Sequence, residues 1–259
     1  MVGKREELEL IILKNEDRTF TYSEKDRRIG NGNSSVMVPP NLIISPGDII
    51  STKLGQYTAL YFQPPEFGNV CRRNAQIIQP HDASYMIFRS GVRAGSTVLE
   101  AGAGSGSLSS FILWSIGSTG KLVTVDNNQD NIAATRENLE KFYDLSNWNA
   151  LLGDIRTQKI DGKFDAVFLD IPDPWNAVSN VIDSVKMGGV ITTYSPNYNQ
   201  MEKTVMEMKG LGMLVLENTE LIRRNMLVRE GSTRPDHNSL WHTAFITFAV
   251  KRSSSSLKL

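Results

Sequence analysis

The chain of 259 residues has one cysteine, three histidines and no long apolar run. Cys71 alone cannot form a disulfide within the chain, and with so few possible ligands no metal site is expected. The longest strongly apolar stretches, such as residues 8–13, are far shorter than the ~20 residues of a transmembrane helix. The first ten residues include acidic side chains and lack the apolar core of a signal peptide. We therefore expect a cytoplasmic protein without a membrane partner.

Net charge is also absent, because 28 basic residues are matched by 28 acidic ones. Proteins that bind nucleic acids usually carry a basic surface, so this total alone argues against a polyanionic partner. The charges are unevenly distributed, however. Residues 1–95 hold 12 basic and 10 acidic residues, residues 96–220 hold 9 and 16, and residues 221–259 hold 7 and 2. Basic segments thus flank an acidic middle, and they are candidates for phosphate contacts.

Turn-forming residues separate short apolar runs in the first 70 residues, which indicates β-strands joined by tight turns. From about residue 82, strand-like and helix-like segments alternate, as is typical of parallel βαβ units. Residues 213–222 and 241–250 are both strand-like and predict a terminal antiparallel pair. We expect an α/β protein with a small β-rich N-terminal domain (residues 1–70), a Rossmann-like domain with a seven-stranded sheet (residues 71–252) and a flexible tail (residues 253–259).

A glycine-rich turn follows the first strand of the alternating part, where residues 98–106 read VLEAGAGSG. Gly102, Gly104 and Gly106 would let a ligand approach the backbone, and the next helix presents free N–H groups at its N-terminus. Alone, such a turn is a weak signal and can be purely structural. It gains weight from Asp126, which ends the next strand where a carboxylate can accept hydrogen bonds from ribose hydroxyls.

The spacing of this turn favours S-adenosylmethionine as the cofactor. The dinucleotide fingerprint is GxGxxG, whereas this chain has GxGxG with Ser105 and Ser107. Glu100 before the turn, Asp154 after the third strand and the terminal antiparallel pair point the same way. Another nucleotide remains the alternative. Asp126 could also be a solvated loop carboxylate, and Asp154 a turn or helix cap.

Asp170 ends the strand FDAVFLD and lies beside the expected cofactor crevice, where open α/β sheets bind their ligands. Pro172 and Pro174 restrict the segment that follows and would hold Asp170 and Trp175 in place. If a ring nitrogen of adenine is methylated, the product is cationic until its exocyclic amine loses a proton. A carboxylate that accepts from this amine can stabilise the charge and take the proton. Alternatively, Asp170 caps the next helix and Trp175 packs against the sheet.

With these motifs in view, the chain resembles the tRNA adenine-N1 methyltransferases that act in the T-loop, at adenine 58 and in archaeal-type members also at adenine 57. The glycine-rich turn is common to many methyltransferases, but the DIPDPW segment combined with RPxH and HTAF is far more specific. The resemblance covers essentially the whole chain, including the small β-rich N-terminal domain, and the stretches that carry it are RRNAQIIQPHDASYM, VLEAGAGSGSLS, FDAVFLDIPDPWNAV, TYSPNYNQMEKTV and RPDHNSLWHTAFITFA. The resemblance implies a class I S-adenosylmethionine-dependent methyltransferase fold, tRNA as the substrate and a homotetramer.

The resemblance also implies roles for individual residues. Asp126 would bind the ribose of the cofactor, Asp154 its adenine, and Asp170 would be the catalytic carboxylate, with Tyr194 near the target base. Gln79 stands where the family commonly has a tyrosine, so we expect it to hydrogen-bond rather than to stack. The expected cofactor-binding residues are Gln79, Glu100, Gly102, Gly104, Ser105, Gly106, Ser107, Leu108, Asp126, Asn127, Asp154 and Asp170.

Two arginine clusters are the expected phosphate contacts, although a single arginine is more often a solvated surface charge than an RNA ligand. His242 is either a hydrogen-bonded core histidine or functional, and His81 and His237 are solvated or phosphate-facing. A target base stacked within folded tRNA has to flip out to be methylated. The first cluster is Arg72, Arg73, Arg89 and Arg93, the second is Arg223, Arg224, Arg229 and Arg234, and the RNA-contact candidates among them are Arg72, Arg73, Arg223, Arg224 and Arg234.

Two other functions remain open. A methyltransferase of proteins (isoaspartyl type) or small molecules uses the same kind of sheet, but it would need neither the proline-flanked Asp170 nor the arginine clusters. A non-catalytic tRNA-binding subunit is disfavoured because Asp126, Asp170 and the glycines of the turn are all present.

Overall fold

The computed structural model describes residues 10–23, 25–30, 35–73, 75–237 and 241–255. The strands are β1 Leu10–Lys14, β2 Thr19–Ser23, β3 Arg28–Ile29, β4 Val36–Met37, β5 Ile49–Thr52, β6 Gly55–Tyr61, β7 Thr97–Ala101, β8 Lys121–Asp126, β9 Trp148–Leu152, β10 Phe164–Leu169, β11 Val185–Ser195, β12 Leu214–Glu220, β13 Met226–Leu227, β14 Arg234–Pro235 and β15 Phe245–Val250. The helices are α1 Pro64–Val70, α2 Pro80–Arg89, α3 Ser107–Ile116, α4 Gln129–Leu139, α5 Trp175–Val181 and α6 Tyr198–Gly210, and a 3-10 helix covers Ile182–Ser184.

Some predictions fall on residues outside these ranges. They include the start of the N-terminal segment (1–9), the middle of the RPDHNSLWHTAF motif (238–240) and the end of the predicted tail (256–259). None of the helices within the described ranges has both the length and the apolar character needed to cross a bilayer.

The N-terminal part forms an antiparallel sheet with the strand order β2-β1-β6-β5. Alternate residues face a small core, in which Leu13, Tyr22, Tyr57 and Ala59 are nearly inaccessible to solvent. Helix α1 follows this sheet and contacts both β2 and α3. The β-strands expected before residue 70 are therefore present, while the domain boundary at that residue stays a prediction.

The central sheet has seven strands in the order β12-β15-β11-β10-β7-β8-β9. Strands β7 to β11 run parallel, and β15 lies antiparallel between β11 and β12. The predicted antiparallel pair is thus confirmed. Between its two strands lies the short hairpin β13–β14, consistent with the lack of a helical pattern there.

Helices cover both faces of this sheet, as the long apolar strands require. Val98 in β7 belongs to the core cluster formed with α2 and α3. Its neighbour Leu99 belongs to the cluster formed with α5 and α6. Because side chains alternate along a strand, Glu100 shares the α2/α3 face with Val98. By the same alternation, Asp126 and Asp170 lie on this face at the ends of β8 and β10.

The ends of β7 and β10 approach each other closely. The Asp170 N–H donates to the Ala101 carbonyl at 2.9 Å, and the Gly102 N–H donates to the Val125 carbonyl at 2.9 Å. Gly102 has a φ of +95°, and a Cβ placed on it would lie 2.1 Å from the Asp170 carbonyl oxygen. Only glycine fits this position without a backbone shift.

We predict that Gly102→Ala destabilises the protein by about 3 kcal/mol or more, because positive φ contributes roughly 1–2 kcal/mol of strain and the clash adds to it. Gly212→Ala is the matched control: Gly212 has a φ of +77°, and a Cβ there would meet no heavy atom within 4 Å. The control should lose only the backbone term. Urea unfolding of both variants measures the difference, and equal losses would contradict the steric explanation.

Candidate active site

The candidate site lies at the carboxyl edge of the seven-stranded sheet. The chain leaves β7 for α3 on one face and leaves β10 for α5 on the other face, so a crevice opens between these adjacent strands. The structure gathers four predicted site residues at the ends of neighbouring strands. They are Gly102 after β7, Asp126 at the end of β8, Asp170 after β10 and Tyr194 near the end of β11.

Asp126 is held firmly at the end of β8 and is almost fully buried. Its Oδ2 accepts from the Ala103 N–H at 2.8 Å and its Oδ1 from the Asn128 N–H at 2.8 Å. Asn131 Nδ2 lies 3.3 Å from both oxygens. Asp126 is therefore not a freely solvated loop carboxylate but the group that ties the glycine-rich turn to the start of α4. The adjacent Asn127 is exposed.

Ser105 and Ser107 use their side chains to hold the segment before α2. Ser105 Oγ accepts from the Ala75 N–H at 3.1 Å, and Ser107 Oγ donates to the Ile78 carbonyl at 3.0 Å. Leu108 is buried in the core beside α2 and α3. The backbone N–H groups in the first turn of α3 have no partner inside the helix and are candidates to bind a ligand.

Asn138 is a buried residue of this region that the sequence did not single out. Its Nδ2 donates to the Arg72 carbonyl at 2.8 Å and to the Ser105 carbonyl at 3.1 Å, and its Oδ1 accepts from the Arg72 N–H at 2.9 Å. It thus joins the glycine-rich turn, which continues through Gly104 and Gly106, to the segment before α2. An asparagine within a helical pattern gave no signal for this role.

Gln79 is the residue immediately before α2, in an extended backbone conformation. Its side chain does not cap the helix. Pro80 begins the helix, where a missing N–H is harmless because it would have no partner inside the helix. The expected hydrogen bond from Gln79 to a ligand stays a prediction.

Glu100 lies fully buried beneath the turn. One of its oxygens accepts from Ser109 Oγ at 2.6 Å and from Thr124 Oγ1 at 2.8 Å. Burial, with smaller contributions from the charges of Asp170 and Asp126, raises the pKa of Glu100 to about 8. The side chain is therefore mostly neutral at pH 7 and supports the floor of the crevice from below.

Asp170 is half-buried, and within the described part of the chain no donor is hydrogen-bonded to its carboxylate. Burial and then the nearby charge of Asp126 raise the pKa of Asp170 to about 7. Pro174 precedes α5, and no side chain caps that helix. The alternative that Asp170 is a helix cap is thus wrong, and its carboxylate is free to meet a ligand.

Asp154 is paired with an arginine. Arg156 Nη2 and Nε each donate to it at 2.7 Å, and the same guanidinium reaches Asp173 at 3.0 Å. These hydrogen bonds from Arg156 lower the pKa of Asp154. Asp154 also accepts from the Arg156 N–H at 2.9 Å, so it does form the local turn considered as an alternative. Arg156 joins the loops that follow β9 and β10.

Tyr194 donates its hydroxyl proton to Asp82 Oδ2 at 2.9 Å. Asp82 lies in the first turn of α2 and is fully buried. Burial, and then the charge and hydrogen bond of Asp82, raise the pKa of Tyr194, and the charge of Asp170 contributes as well. Tyr194 is thus close to both carboxylates. The sequence analysis named Tyr194 but missed Asp82.

His242 is not a core histidine on a strand, as one expectation had it. It is exposed and precedes β15, with Nδ1 at 2.5 Å from Glu220 Oε1 and Nε2 at 2.9 Å from the Pro196 carbonyl. The hydrogen bond with Glu220 raises the pKa of His242. The predicted strand begins at Phe245, four residues later than its expected start.

The arginine candidates differ in their surroundings. Arg72 and Arg73 are exposed next to the glycine-rich turn, and Arg73 donates to the Gly68 carbonyl at 2.6 Å. Arg223 and Arg224 are exposed after β12, and the Arg224 guanidinium lies 5.8 Å from the centre of the Trp241 ring. Arg234 is half-buried in β14. Arg89 forms an ion pair with Glu217 at 2.8 Å. The RNA-contact candidates thus lie at the same sheet edge as the crevice, to either side of it.

Residues 59–235 match the family model of the tRNA methyltransferase complex GCD14 subunit. The chain belongs to this family. It is 35% identical to the tRNA (adenine(57)-N(1)/adenine(58)-N(1))-methyltransferase TrmI of Methanocaldococcus jannaschii, over 69% of this chain and 72% of the relative. The resemblance inferred from the motifs is thereby confirmed.

Solved structures agree with the family assignment. A SAM-dependent O-methyltransferase from Thermotoga maritima has a TM-score of 0.83 and 26% identity, covering 96% of this chain and 94% of that one. The tRNA (m1A58) methyltransferase TrmI from Aquifex aeolicus has a TM-score of 0.79 and 21% identity, covering 95% and 98%. The expected class I methyltransferase fold is confirmed.

For this member of the family, we predict that Glu100→Gln stabilises the protein at high pH. The pKa of Glu100 is about 8 in the folded protein, against an ordinary value of 4.5. As pH rises from about 4.5 to about 8, the carboxyl group ionises in the unfolded chain before it does in the folded protein, so wild-type stability falls. Glutamine mimics the neutral acid and avoids this loss. Urea unfolding at pH 5 and pH 8.5 should show the variant gaining up to a few kcal/mol on wild type.

Glu137→Gln removes a negative charge from an exposed side chain and controls for general charge effects. The explanation would be wrong if Glu100→Gln and wild type differed in stability by the same amount at both pH values.

Proposed function

We propose that this protein methylates N1 of adenine in the T-loop of tRNA, using S-adenosylmethionine. Position 58 is the primary target, and position 57 is a second candidate. The observation that carries the proposal is Asp170, a half-buried carboxylate beside the glycine-rich turn to which none of the described residues donates a hydrogen bond. Membership of a tRNA methyltransferase family, and a relative named for adenine 57 and 58, give this carboxylate its substrate.

The residues around the turn fit S-adenosylmethionine. Gly104 has no side chain, and a Cβ there would meet only Ala75 Cβ at 3.9 Å, so a ligand can lie against the backbone of the turn. Asp126 directs a fixed carboxylate to the crevice and is placed to accept from ribose hydroxyls. Asp154 is the candidate for the cofactor's adenine amine, through lone pairs that Arg156 leaves unused. The cofactor supplies an electrophilic methyl group.

Asp170 has two tasks in this reaction. As the adenine N1 lone pair bonds to the methyl carbon, that carbon's bond to sulfur would break and leave a neutral thioether, so positive charge develops on the ring and its 6-amino group. A carboxylate that accepts from this amine stabilises the charge and then receives one amine proton, which returns the base to neutrality. With a pKa near 7, Asp170 is ionised often enough at neutral pH to act as this base.

The base has to leave the tRNA stack to reach Asp170, because the carboxylate lies in a crevice at the sheet edge. We infer that Arg72 and Arg73 contact phosphates on one side of this crevice and Arg223, Arg224 and Arg234 on the other. The homotetramer implied by the resemblance stays a prediction that light scattering can check.

The proposed activity predicts that methyl label from S-adenosylmethionine enters unmodified tRNA transcript. Because a methyl group on N1 blocks base pairing, reverse transcription should stop at position 58, with any second stop at 57. Transcripts with uridine at 58, at 57 or at both are the matched controls. No label in tRNA, or label on another atom, would falsify the proposal and leave a different substrate or a non-catalytic subunit.

Asp170→Asn is predicted to reduce kcat/KM for tRNA by about 100-fold or more, the usual contribution of a general base. In wild type, kcat/KM should rise with pH through about 7, because Asp170 has to be ionised to accept the proton. The variant should bind S-adenosylmethionine but lose this inflection.

Asp173→Asn, in the same loop, is the matched control and should keep the inflection. Initial-rate methylation assays from pH 5.5 to 9 measure the pH dependence of kcat/KM, and calorimetric titration measures binding of S-adenosylmethionine. An inflection near pH 7 that persists in Asp170→Asn would remove Asp170 from the proton transfer.

A further inference from the structure

Asp82 is a buried carboxylate to which the mechanism above assigns no task. It is fully inaccessible to solvent, in the first turn of α2, and its Oδ2 accepts the Tyr194 hydroxyl at 2.9 Å. Its other oxygen, Oδ1, lies 3.5 Å from His81 Nε2. Both sides of the carboxylate are thus occupied by protein, so Asp82 cannot itself meet a substrate.

The hydrogen bond to Asp82 determines what Tyr194 can offer. A phenol has one proton and two lone pairs, and here the proton points at Asp82. The Thr243 side chain is within hydrogen-bonding reach of the same oxygen, so one lone pair is what the hydroxyl presents to a ligand. Tyr194 is half-buried, and because Leu169 pairs with Thr193 in the parallel β10–β11 ladder, Asp170 and Tyr194 follow each other at the ends of adjacent strands. Asp170 and Tyr194 therefore present acceptors to the same part of the crevice.

We propose that Asp82 is a positioning residue that makes Tyr194 a hydrogen-bond acceptor, so that Tyr194 and Asp170 together select a base by its 6-amino group. The inference rests on the proposed function, and it deepens it by naming how the base is chosen. The amine of adenine carries two N–H groups, one for each acceptor. A base with a carbonyl at that position, such as guanine or hypoxanthine, would place its oxygen against the two acceptors. None of these three groups would then have a hydrogen-bond donor.

A purely structural role for Asp82 is the competing explanation, since its bond to Tyr194 also joins α2 to β11. The two explanations differ in one measurable respect. A structural role changes the rate on every base alike, whereas a positioning role changes the preference for a base that carries the amine. The preference is therefore the quantity to measure, together with thermal stability.

The experiment uses the full chain and ligated tRNA with either adenine or purine at position 58. Purine keeps the N1 lone pair but lacks the amine. The measured quantity is the ratio of kcat/KM for adenine to that for purine in wild type, Asp82→Ala, Asp82→Asn, Tyr194→Phe and the double variant Asp82→Ala/Tyr194→Phe.

Wild type should favour adenine strongly, because purine lacks both the amine that the two acceptors bind and the proton that Asp170 removes. Asp82→Ala frees the hydroxyl to rotate, so the ratio should fall about 10-fold while Asp170 maintains the rest. Tyr194→Phe should give the same fall. The double variant should fall no further, because Asp82 acts through the Tyr194 hydroxyl.

Asp82→Asn should restore most of the ratio. Its carbonyl can still accept from Tyr194 while its NH₂ group faces His81 Nε2, so it also serves if Asp82→Ala fails to fold. An unchanged ratio in Asp82→Ala, or in Tyr194→Phe, would overturn the inference, as would additive falls in the double variant. A wild-type protein that does not methylate adenine in tRNA would instead refute the proposed function.

Discussion

The close approach of two strand ends is the constraint on which the rest of the site depends. Gly102 packs against the Asp170 carbonyl, and the Asp170 N–H donates to the Ala101 carbonyl. The turns that leave β7 and β10 are therefore in contact. This contact places the glycine-rich turn and Asp170 within one crevice. Asp126 then fixes the far side of the turn through the Ala103 N–H. A side chain on Gly102 would push the glycine-rich turn away from the Asp170 backbone and widen the distance between the turn and this carboxylate.

Three carboxyl groups near this contact share one electrostatic environment. Glu100, Asp126 and Asp170 lie on the same face of adjacent strands, and burial penalises the charged forms of Glu100 and Asp170. The charge of Asp126 raises the pKa of both Glu100 and Asp170. At neutral pH the crevice therefore carries less negative charge than its residues suggest. A cationic ligand would shift this balance, because a positive charge nearby favours the ionised carboxylates.

The sequence predicted the site residues that lie at the ends of strands. Alternating apolar segments located the strands, so Asp126 and Asp170 could be assigned to one sheet edge without coordinates. It could not reveal pairs that only the fold brings together. Asp82 and Tyr194 are 112 positions apart, and Asn138 reaches Arg72 across 66 positions. Local patterns contain no information on such distances. The side chains of the glycine-rich turn were also beyond prediction, since the motif does not say that its serines would bond to the segment before α2.

Under the proposed function, the charge distribution explains how an overall neutral protein can bind a polyanion. The acidic side chains of the crevice would repel phosphates, whereas exposed arginines lie on both sides of the same sheet edge. The phosphates of a nucleotide at this edge would therefore contact the arginines. Its uncharged base would enter the acidic crevice. The acceptors that stabilise a cationic base also exclude the anionic backbone. Separation of the two charges along one edge thus favours a flipped base over a stacked one, and this preference requires no net positive charge on the chain.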